Sequence, residues 1–416
     1  MSAASRRVRR WAGTLPGAGP SGASVPPVLL ETARVVWPTA RRIEVTRSRR
    51  PGPDERDYAV LPRTAGPRWL LPVDAPATGE ALVGQESSRR RAAVRGLVAA
   101  HRAGLARRVP VRRLRVTSGH DNSLVALLEE TFEPDADVAI RLGSWAHARN
   151  VVVRVLDREG TTVAFGKVGI DAHGLASVRA EGANLAHVAG LGLRLVEHSE
   201  VIARREWRGL DVLLVTPLVP GPAAADPAAL PVEAMLELAR SGGPRTTLLA
   251  DSAWWTSVGA RLDEVADMQL RVELQALART LAVTSVPVPL GPWHGDWTAW
   301  NMAWSGRRVL LWDWEHFAED VPVGFDLVHH LAQGLRVSSG TGPAAQAEWR
   351  SRSDDVLASH VGLDAPARDL VLAAYLLEVN LRYVLDRQGT TQAATPRAGW
   401  GLDLLRRETA RLPATS

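Results

Sequence analysis

The sequence contains no cysteine and a single lysine, Lys167, among 50 basic residues. The missing thiols exclude disulfide bonds, thiolate metal sites and a cysteine nucleophile. Any catalysis must therefore rely on carboxylates, histidine, hydroxyl groups or the one lysine. Because arginine is a planar fork and lysine a compact point charge on a flexible stem, this exception to the use of arginine suggests a site that a fork does not fit.

Long apolar runs are also missing, since no stretch of 18 apolar residues occurs in the sequence. A membrane-spanning helix needs about 20 such residues. The basic start "MSAASRRVRRWAGTLPGAGPSGASVPP" is followed by no apolar segment, so it does not resemble a secretion signal. We expect a cytoplasmic protein with no membrane partner.

The composition is that of a globular protein large enough for two or three domains, with 416 residues, 46% hydrophobic and 23% charged. The net charge is +5, and the arginines are spread along the chain. This distribution favours a general use of arginine over a nucleic-acid surface, so no nucleic-acid partner is expected. The sequence leaves the oligomeric state open.

Changes in composition and periodicity predict four segments. Residues 1–53, rich in Pro, Gly, Ala, Ser and Arg, are predicted as a mostly flexible leader in which only "VLLETARVVW" can become ordered. Residues 54–118 are predicted as a small mixed α/β extension. Residues 119–221 are predicted as a sheet lobe in which one helix follows the third strand. Residues 222–416 are predicted as a mainly helical lobe.

One loop region, "WHGDWTAWNMAWSGRRVLLWDWEHFAED", carries most of the recognisable chemistry. It contains His294 and Asp296, then Asn301 five residues after Asp296, then Asp313 at the end of the apolar strand "RVLLWDW". Phosphoryl transfer needs a carboxylate that accepts a hydroxyl proton, and oxygen ligands that hold Mg²⁺ on the phosphates. The residue types and their order match that requirement.

The pattern H-G-D-x-x-x-x-N followed by D-x-E resembles the catalytic and metal-binding loops of the aminoglycoside phosphotransferase and choline kinase-like family. The resemblance covers roughly residues 120–410. It implies an α+β, bilobal protein-kinase-like fold with a small antiparallel-sheet N-lobe and a larger helical C-lobe, preceded here by an N-terminal extension. It also implies ATP and Mg²⁺ as cofactors, Asp296 and Asn301 as catalytic residues, and Asn301 and Asp313 as metal ligands.

The same resemblance gives the lysine a role. Kinase-like lobes place a lysine on the third strand, where it contacts the nucleotide phosphates and is oriented by a glutamate from the next helix. Lys167 lies on the third predicted strand of the lobe, and Glu181 follows at the matching distance, with Glu197 and Glu206 as alternatives. The nucleotide-covering turn "RLGSWAHARNV" supplies Gly143 and Ser144 as further binding residues, although a single glycine makes a poor phosphate cradle.

Two other residues are predicted to be structural. His294 is expected to fix the catalytic loop through hydrogen bonds, and Asp326 either orders that loop or caps the helix that follows it. The acidic segment 315–320 either attracts an amine-bearing acceptor or forms a solvated rim.

The function that follows is transfer of phosphate from ATP to a hydroxyl of a small molecule such as a sugar, an aminoglycoside or an amino alcohol. Protein kinases carry a lysine two residues after the catalytic Asp and a DFG motif, whereas this chain has Thr298 and "DWE", so a protein substrate is not expected. The alternatives are a catalytically silent scaffold or nucleotide-binding sensor, and a nucleotidyl transferase.

Overall fold

The computed structural model describes residues 27–46, 51–61, 69–74, 112–132, 136–141, 150–220, 229–243, 245–388 and 401–412, with short pieces between 96 and 109. The predicted binding residues Gly143 and Ser144 lie outside the described residues. The chain divides into two compact units. The sheet unit contains the described residues up to Ala186 and Ser199–Pro217, and the helical unit contains His187–His198 and the described residues from Leu218 onward.

The sheet unit is built on one antiparallel sheet. The elements are α1 (Pro27–Val36), β1 (Arg42–Thr46), β2 (Glu55–Leu61), β3 (Trp69–Pro72), β4 (Arg112–Thr117), α2 (Leu124–Thr131), β5 (Asp137–Arg141), β6 (Asn150–Leu156), β7 (Thr162–Gly169), α3 (Ala172–Val188), β9 (Val201–Trp207) and β10 (Leu210–Val215). The strand order is β1-β4-β2-β3-β5-β6-β7-β10-β9. Helix α1 precedes β1, α2 lies between β4 and β5, and α3 follows β7.

This arrangement differs from the predicted division of the first 118 residues. Strands β1 to β4 are not a separate extension, because β3 pairs with β5 and continues the same sheet. Within the predicted leader, the segment expected to become ordered forms α1, and the residue after it, Trp37, is buried against Tyr58 with ring centroids 4.5 Å apart. The physical reason is that the edge of β5 carries backbone groups that need partners, and β3 supplies them.

The helical unit contains seven helices and six strands among its described residues. The helices are α4 (Val232–Arg240), α5 (Ala253–Asp263), α6 (Met268–Ala282), α7 (Phe325–Ser338), α8 (Pro343–Val356), α9 (Ala365–Arg387) and α10 (Leu402–Thr409). The strands are β8 (Val196–His198), β11 (Arg245–Leu248), β12 (Pro287–Trp293), β13 (Met302–Ser305), β14 (Arg308–Leu311) and β15 (Ala318–Pro322). They form two small sheets, β11-β12-β15 and β13-β14-β8. The predicted α+β class, with one sheet-based and one mainly helical unit, is confirmed.

The core of the helical unit is organised around α9. Its middle part from Leu370 to Leu381 is buried on every side, as the nearly unbroken apolar run "LVLAAYLLEVNL" predicts. Helix α4 packs so closely on β12 that a Cβ atom at Gly291 would lie 1.8 Å from the carbonyl oxygen of Ala239. Glycine is therefore required at that contact. Within the described segments, no helix is both long and apolar enough to cross a membrane.

Candidate active site

Lys167 lies on β7, a strand paired on both sides. Its backbone stands opposite Val152 of β6 and Leu213 of β10. Helix α3 follows β7 after a two-residue connection and carries Glu181, which is 4% exposed. The Lys167 Nζ atom lies 2.6 Å from Glu181 Oε2. The predicted partner is therefore the residue that the structure brings to the lysine, because strand and helix are consecutive elements whose facing positions meet.

The other predicted glutamates lie elsewhere. Glu197 of β8 is 3.0 Å from the Arg308 guanidinium in the helical unit. Glu206 lies on β9 opposite Asp211 of β10. A buried carboxylate needs a partner to remain ionised, and Lys167 supplies it for Glu181. The ion pair holds the ammonium group in a fixed position while 23% of the lysine side chain stays exposed.

The loop that carries Asp296 follows β12 in the helical unit. Gly295 has φ of +88°, and a Cβ atom there would lie 2.3 Å from the carbonyl oxygen of His316. Both the left-handed backbone and the close approach require glycine. This explains physically why the H-G-D motif has glycine in its centre.

Asp326 fixes this loop to helix α7. Its carboxylate accepts hydrogen bonds from the backbone N–H groups of His294 at 2.8 Å and Gly295 at 3.2 Å. Burial raises the pKa of Asp326 to about 7, although the two backbone donors favour its ionised form. Helix α7 has Gly324 at its N-cap and no side-chain cap. Of the two structural roles predicted for Asp326, the ordering of the loop is the one observed.

His294 connects the loop to the residues after β14. Its Nε2 atom lies 3.2 Å from the Trp312 carbonyl oxygen, and its Nδ1 atom accepts from the Asp296 backbone N–H at 3.2 Å. This pair of partners requires a neutral ring that carries its proton on Nε2. Burial lowers the pKa of His294 to about 4, in agreement with that protonation state. The ring therefore positions the loop, as the sequence predicted.

Asp296 is held from both sides. Its Oδ2 accepts from Asn301 Nδ2 at 2.7 Å, and its Oδ1 lies 3.0 Å from His329 Nε2. Burial alone raises the pKa of Asp296, but the hydrogen bond from His329 and the nearby positive charge of Arg382 outweigh burial and leave the pKa below its ordinary value. The carboxylate is thus ionised near neutral pH. Each oxygen keeps a further lone pair that can accept a hydrogen bond from a bound hydroxyl.

His329 is a site residue that the sequence analysis missed. Its Nδ1 atom lies 3.1 Å from the Tyr375 hydroxyl, which donates to it, while Nε2–H donates to Asp296. Burial lowers the pKa of His329, which favours the neutral ring that this chain of hydrogen bonds needs. The available signal was the spacing of polar residues on an otherwise apolar helix, since Asp326 and His329 lie three residues apart on one face of α7.

Asn301 and Asp313 flank the open end of the β13–β14 hairpin. Met302 pairs with Leu311, and the next residues outward are joined by a bond from the Trp312 N–H to the Asn301 carbonyl at 3.1 Å. Asp313 has φ of 74°, a left-handed conformation that Asp tolerates better than most residues. Because the hairpin is antiparallel, the residue before one strand and the residue after the other come to the same end.

The donor chemistry of these two residues fits Mg²⁺. The Asn301 amide nitrogen is used on Asp296, which leaves its carbonyl oxygen as a ligand, and Asp313 supplies a carboxylate. The described residues contain no cluster of three or more His, Asp or Glu suited to a metal ion. Mg²⁺ commonly uses one or two protein oxygens, with phosphate oxygens and water completing its shell. The oxygen donors of these two residues therefore fit a magnesium ion.

The acidic segment 315–320 has basic side chains beside it. Glu315 Oε1 lies 3.6 Å from His316 Nε2, and Glu319 Oε1 lies 3.0 Å from His187 Nε2. Asp320 forms an ion pair with Arg245 and also accepts a backbone N–H. These contacts agree with the predicted rim better than with an amine-binding surface.

Comparison with known proteins gives structural likenesses only. No family model and no curated protein matches the chain. LicA in complex with AMP is similar at a TM-score of 0.44 and 13% identity, over 69% of this chain and 96% of that one. An aminoglycoside phosphotransferase from Streptomyces rimosus with ADP and streptomycin is similar at 0.36 and 18%, over 56% and 90%.

A spectinomycin phosphotransferase with ADP and spectinomycin is similar at a TM-score of 0.37 and 11% identity, over 70% of this chain and 94% of that one. The second and third of these similar structures are named as phosphotransferases.

Proposed function

We propose that the chain is a phosphotransferase that moves the γ-phosphoryl group of ATP, with Mg²⁺, to a hydroxyl of a small molecule. The observation that carries the proposal is the 2.6 Å ion pair between Lys167 and Glu181. Lys167 is the only lysine in the sequence. An arginine-rich chain has no evident need for lysine in a general salt bridge, whereas a compact ammonium group is suited to a phosphate oxygen.

In this proposal, Lys167 contacts the α- and β-phosphates and Glu181 keeps its ammonium group oriented. Asn301 and Asp313 hold Mg²⁺, which when bound neutralises charge on the phosphate oxygens. Asp296 accepts a hydrogen bond from the acceptor hydroxyl and then its proton. Since the pKa of Asp296 is below its ordinary value, the carboxylate is a weak base, and its main contribution is to position the hydroxyl.

Two alternatives make different predictions. A silent scaffold or nucleotide sensor agrees with the single glycine of the turn "RLGSWAHARNV". The hydrogen bonds that hold Asp296 from both sides favour catalysis, because a silent copy has no need to keep a carboxylate oriented in this way. A nucleotidyl transferase would add a nucleotide to the acceptor instead of a phosphate, and the product mass distinguishes the two.

The test is turnover of Mg-ATP against a panel of sugars, amino alcohols and aminoglycosides, with product mass measured. Asp296→Asn is expected to lower kcat by about 10² to 10⁴ while nucleotide binding persists. Asp355→Asn, at an exposed carboxylate on α8, is the matched control and is expected to behave as wild type. Wild-type turnover by Asp296→Asn, or wild-type protein that neither binds nucleotide nor turns over, would overturn the proposal.

A further inference from the structure

Helix α7 carries a line of polar side chains toward the Asp296 loop. Asp326, His329, Gln333 and Arg336 follow one another at spacings of three, four and three residues, which places them on one helix face. The first two hold the loop and the Asp296 side chain. Gln333 and Arg336 continue the same line, and among the described residues neither forms a hydrogen bond with the loop.

A cavity of about 220 Å³ lies where this line ends. Its lining includes Asp296, His329, Gln333, Arg336, Arg382 and Tyr383, all within the helical unit. Pockets for drug-sized ligands are about 300 to 1,000 Å³, so this one suits a smaller group. At about 30 Å³ per water, it has room for roughly seven water molecules, the size of one small ring or short chain.

Two buried polar atoms in the lining have unmet hydrogen-bonding capacity. Gln333 is 6% exposed, and its Nε2 donates to the Tyr383 hydroxyl at 3.1 Å, but its Oε1 has no hydrogen-bond partner among the described residues. Arg336 Nε is also buried without a partner in the described part of the chain. Such groups destabilise a fold unless something satisfies them.

The charges favour an anionic group over an amine. Within the described segments, Arg336 forms no ion pair with a carboxylate. Arg382, the second guanidinium group of the lining, lies 3.6 Å from Glu378 Oε1, stacks on Trp293 at 5.2 Å and donates to the Gly295 carbonyl, so Arg336 is the lining cation left for an anion. The lining carboxylates are Asp296, already held by two donors, and Asp386, which has an interaction of its own.

The neighbouring cavity of about 320 Å³ does not change the balance of charges around the first cavity. It shares His316 and Arg382 with the first, and three carboxylates line it. Each of the three already has a basic partner. The pairs are Glu319 with His187, Asp320 with Arg245 and Glu378 with Arg261.

We propose that the cavity beside Asp296 binds the acceptor, and that the acceptor is a small hydroxylated molecule carrying a carboxylate or phosphate that Arg336 binds. Gln333 hydrogen-bonds a neighbouring hydroxyl. The inference rests on the proposed function. In the reaction, the acceptor O–H bond breaks and its proton passes to Asp296. A new O–P bond forms at the γ-phosphorus while the bond to the leaving ADP oxygen breaks.

The experiment compares four probes that share one ring and differ in charge: glucose, glucosamine, glucuronate and glucose 6-phosphate. Binding is measured by calorimetry, and phosphorylation is measured with Mg-ATP. Both experiments use the full chain. Wild-type protein is expected to prefer one or both anionic probes over glucose by at least about tenfold in Kd or KM. The carboxylate and phosphate probes distinguish the two kinds of anion.

Arg336→Gln is expected to remove that preference by weakening binding of the anionic probe about 10- to 100-fold, and Arg336→Lys to weaken it less. Arg279→Gln, at an exposed arginine on α6, is the matched control. Thermal unfolding of each variant shows whether it is folded. If Arg336→Gln does not fold, the proposal is tested by Arg336→Lys instead, which should bind the anionic probe more weakly than wild type.

The inference and the proposed function fail in different ways. Phosphorylation of glucose or glucosamine in preference to both anionic probes, unaffected by Arg336→Gln, would overturn the anionic acceptor and leave the phosphotransferase standing. Absence of binding and phosphorylation of both anionic probes by wild-type protein would also overturn it. Failure of the proposed function would instead appear as no nucleotide binding and no turnover with any acceptor.

Discussion

Replacement of His294 by Gln tests whether the catalytic loop is built on a neutral, buried ring. Glutamine keeps one donor for the Trp312 carbonyl and one acceptor for the Asp296 N–H, but it cannot titrate. The imidazole has no exposed surface in the folded protein. In the unfolded chain, its pKa returns to the ordinary value.

The expected size of the effect follows from the two pKa values. Burial lowers the pKa of His294 from 6.5 to about 4 in the folded state, so between these values the unfolded chain binds the proton and the folded one does not. Stability from this group is therefore fully present above pH 6.5 and is lost as the pH falls toward 4. Between pH 7 and pH 5, the loss in unfolding free energy is about 2 kcal/mol.

The assay is urea unfolding followed by tryptophan fluorescence at pH 7, 6 and 5. Other buried histidines titrate in the same range, so the prediction concerns the difference between variants. His294→Gln should lose about 2 kcal/mol less than wild type between pH 7 and pH 5. His360→Gln, at an exposed position in the same unit, should match wild type. An equal pH dependence in His294→Gln and wild type would refute the neutral buried ring.

Two further substitutions test the site and the fold. His329→Leu removes one of the two side-chain donors to Asp296. It should lower kcat about 10- to 100-fold in a coupled turnover assay without weakening nucleotide binding. An unchanged kcat would contradict the positioning role of His329. Gly291→Ala places a Cβ atom against the Ala239 carbonyl. It should lower the unfolding free energy, measured by urea unfolding, by about 3 kcal/mol. A loss below about 1 kcal/mol would contradict the close packing of α4 on β12.

Local patterns in the sequence predicted the parts of the site that lie close together along the chain. Lys167 and Glu181 are on consecutive elements, so counting strands is enough to pair them. Asn301 and Asp313 flank one hairpin, whose second strand is visible in the sequence as the apolar run "RVLLWDW". In both cases the geometry follows from the order of elements.

Contacts between distant segments were not predictable in this way. The residues that pair between β3 and β5, Trp69 with Arg141 and Leu70 with Ile140, are far apart along the chain, and nothing in either segment specifies that pairing. His329 meets Asp296 only because α7 packs with one particular rotation on the loop. Helix rotation is set by the whole core, and the polar spacing on α7 becomes informative only once the neighbouring loop is known.

The most direct test of the proposed nucleotide site is thermal unfolding of wild type and Lys167→Ala, each with and without Mg-ATP. A ligand that binds only the folded state raises its stability by roughly 2.7 kcal/mol at a hundredfold excess over Kd. Wild type and the exposed-residue control Arg158→Ala should both be stabilised, and Lys167→Ala should lose most of that stabilisation. Equal stabilisation of wild type and Lys167→Ala, or none in either, would contradict a phosphate-binding role for the only lysine.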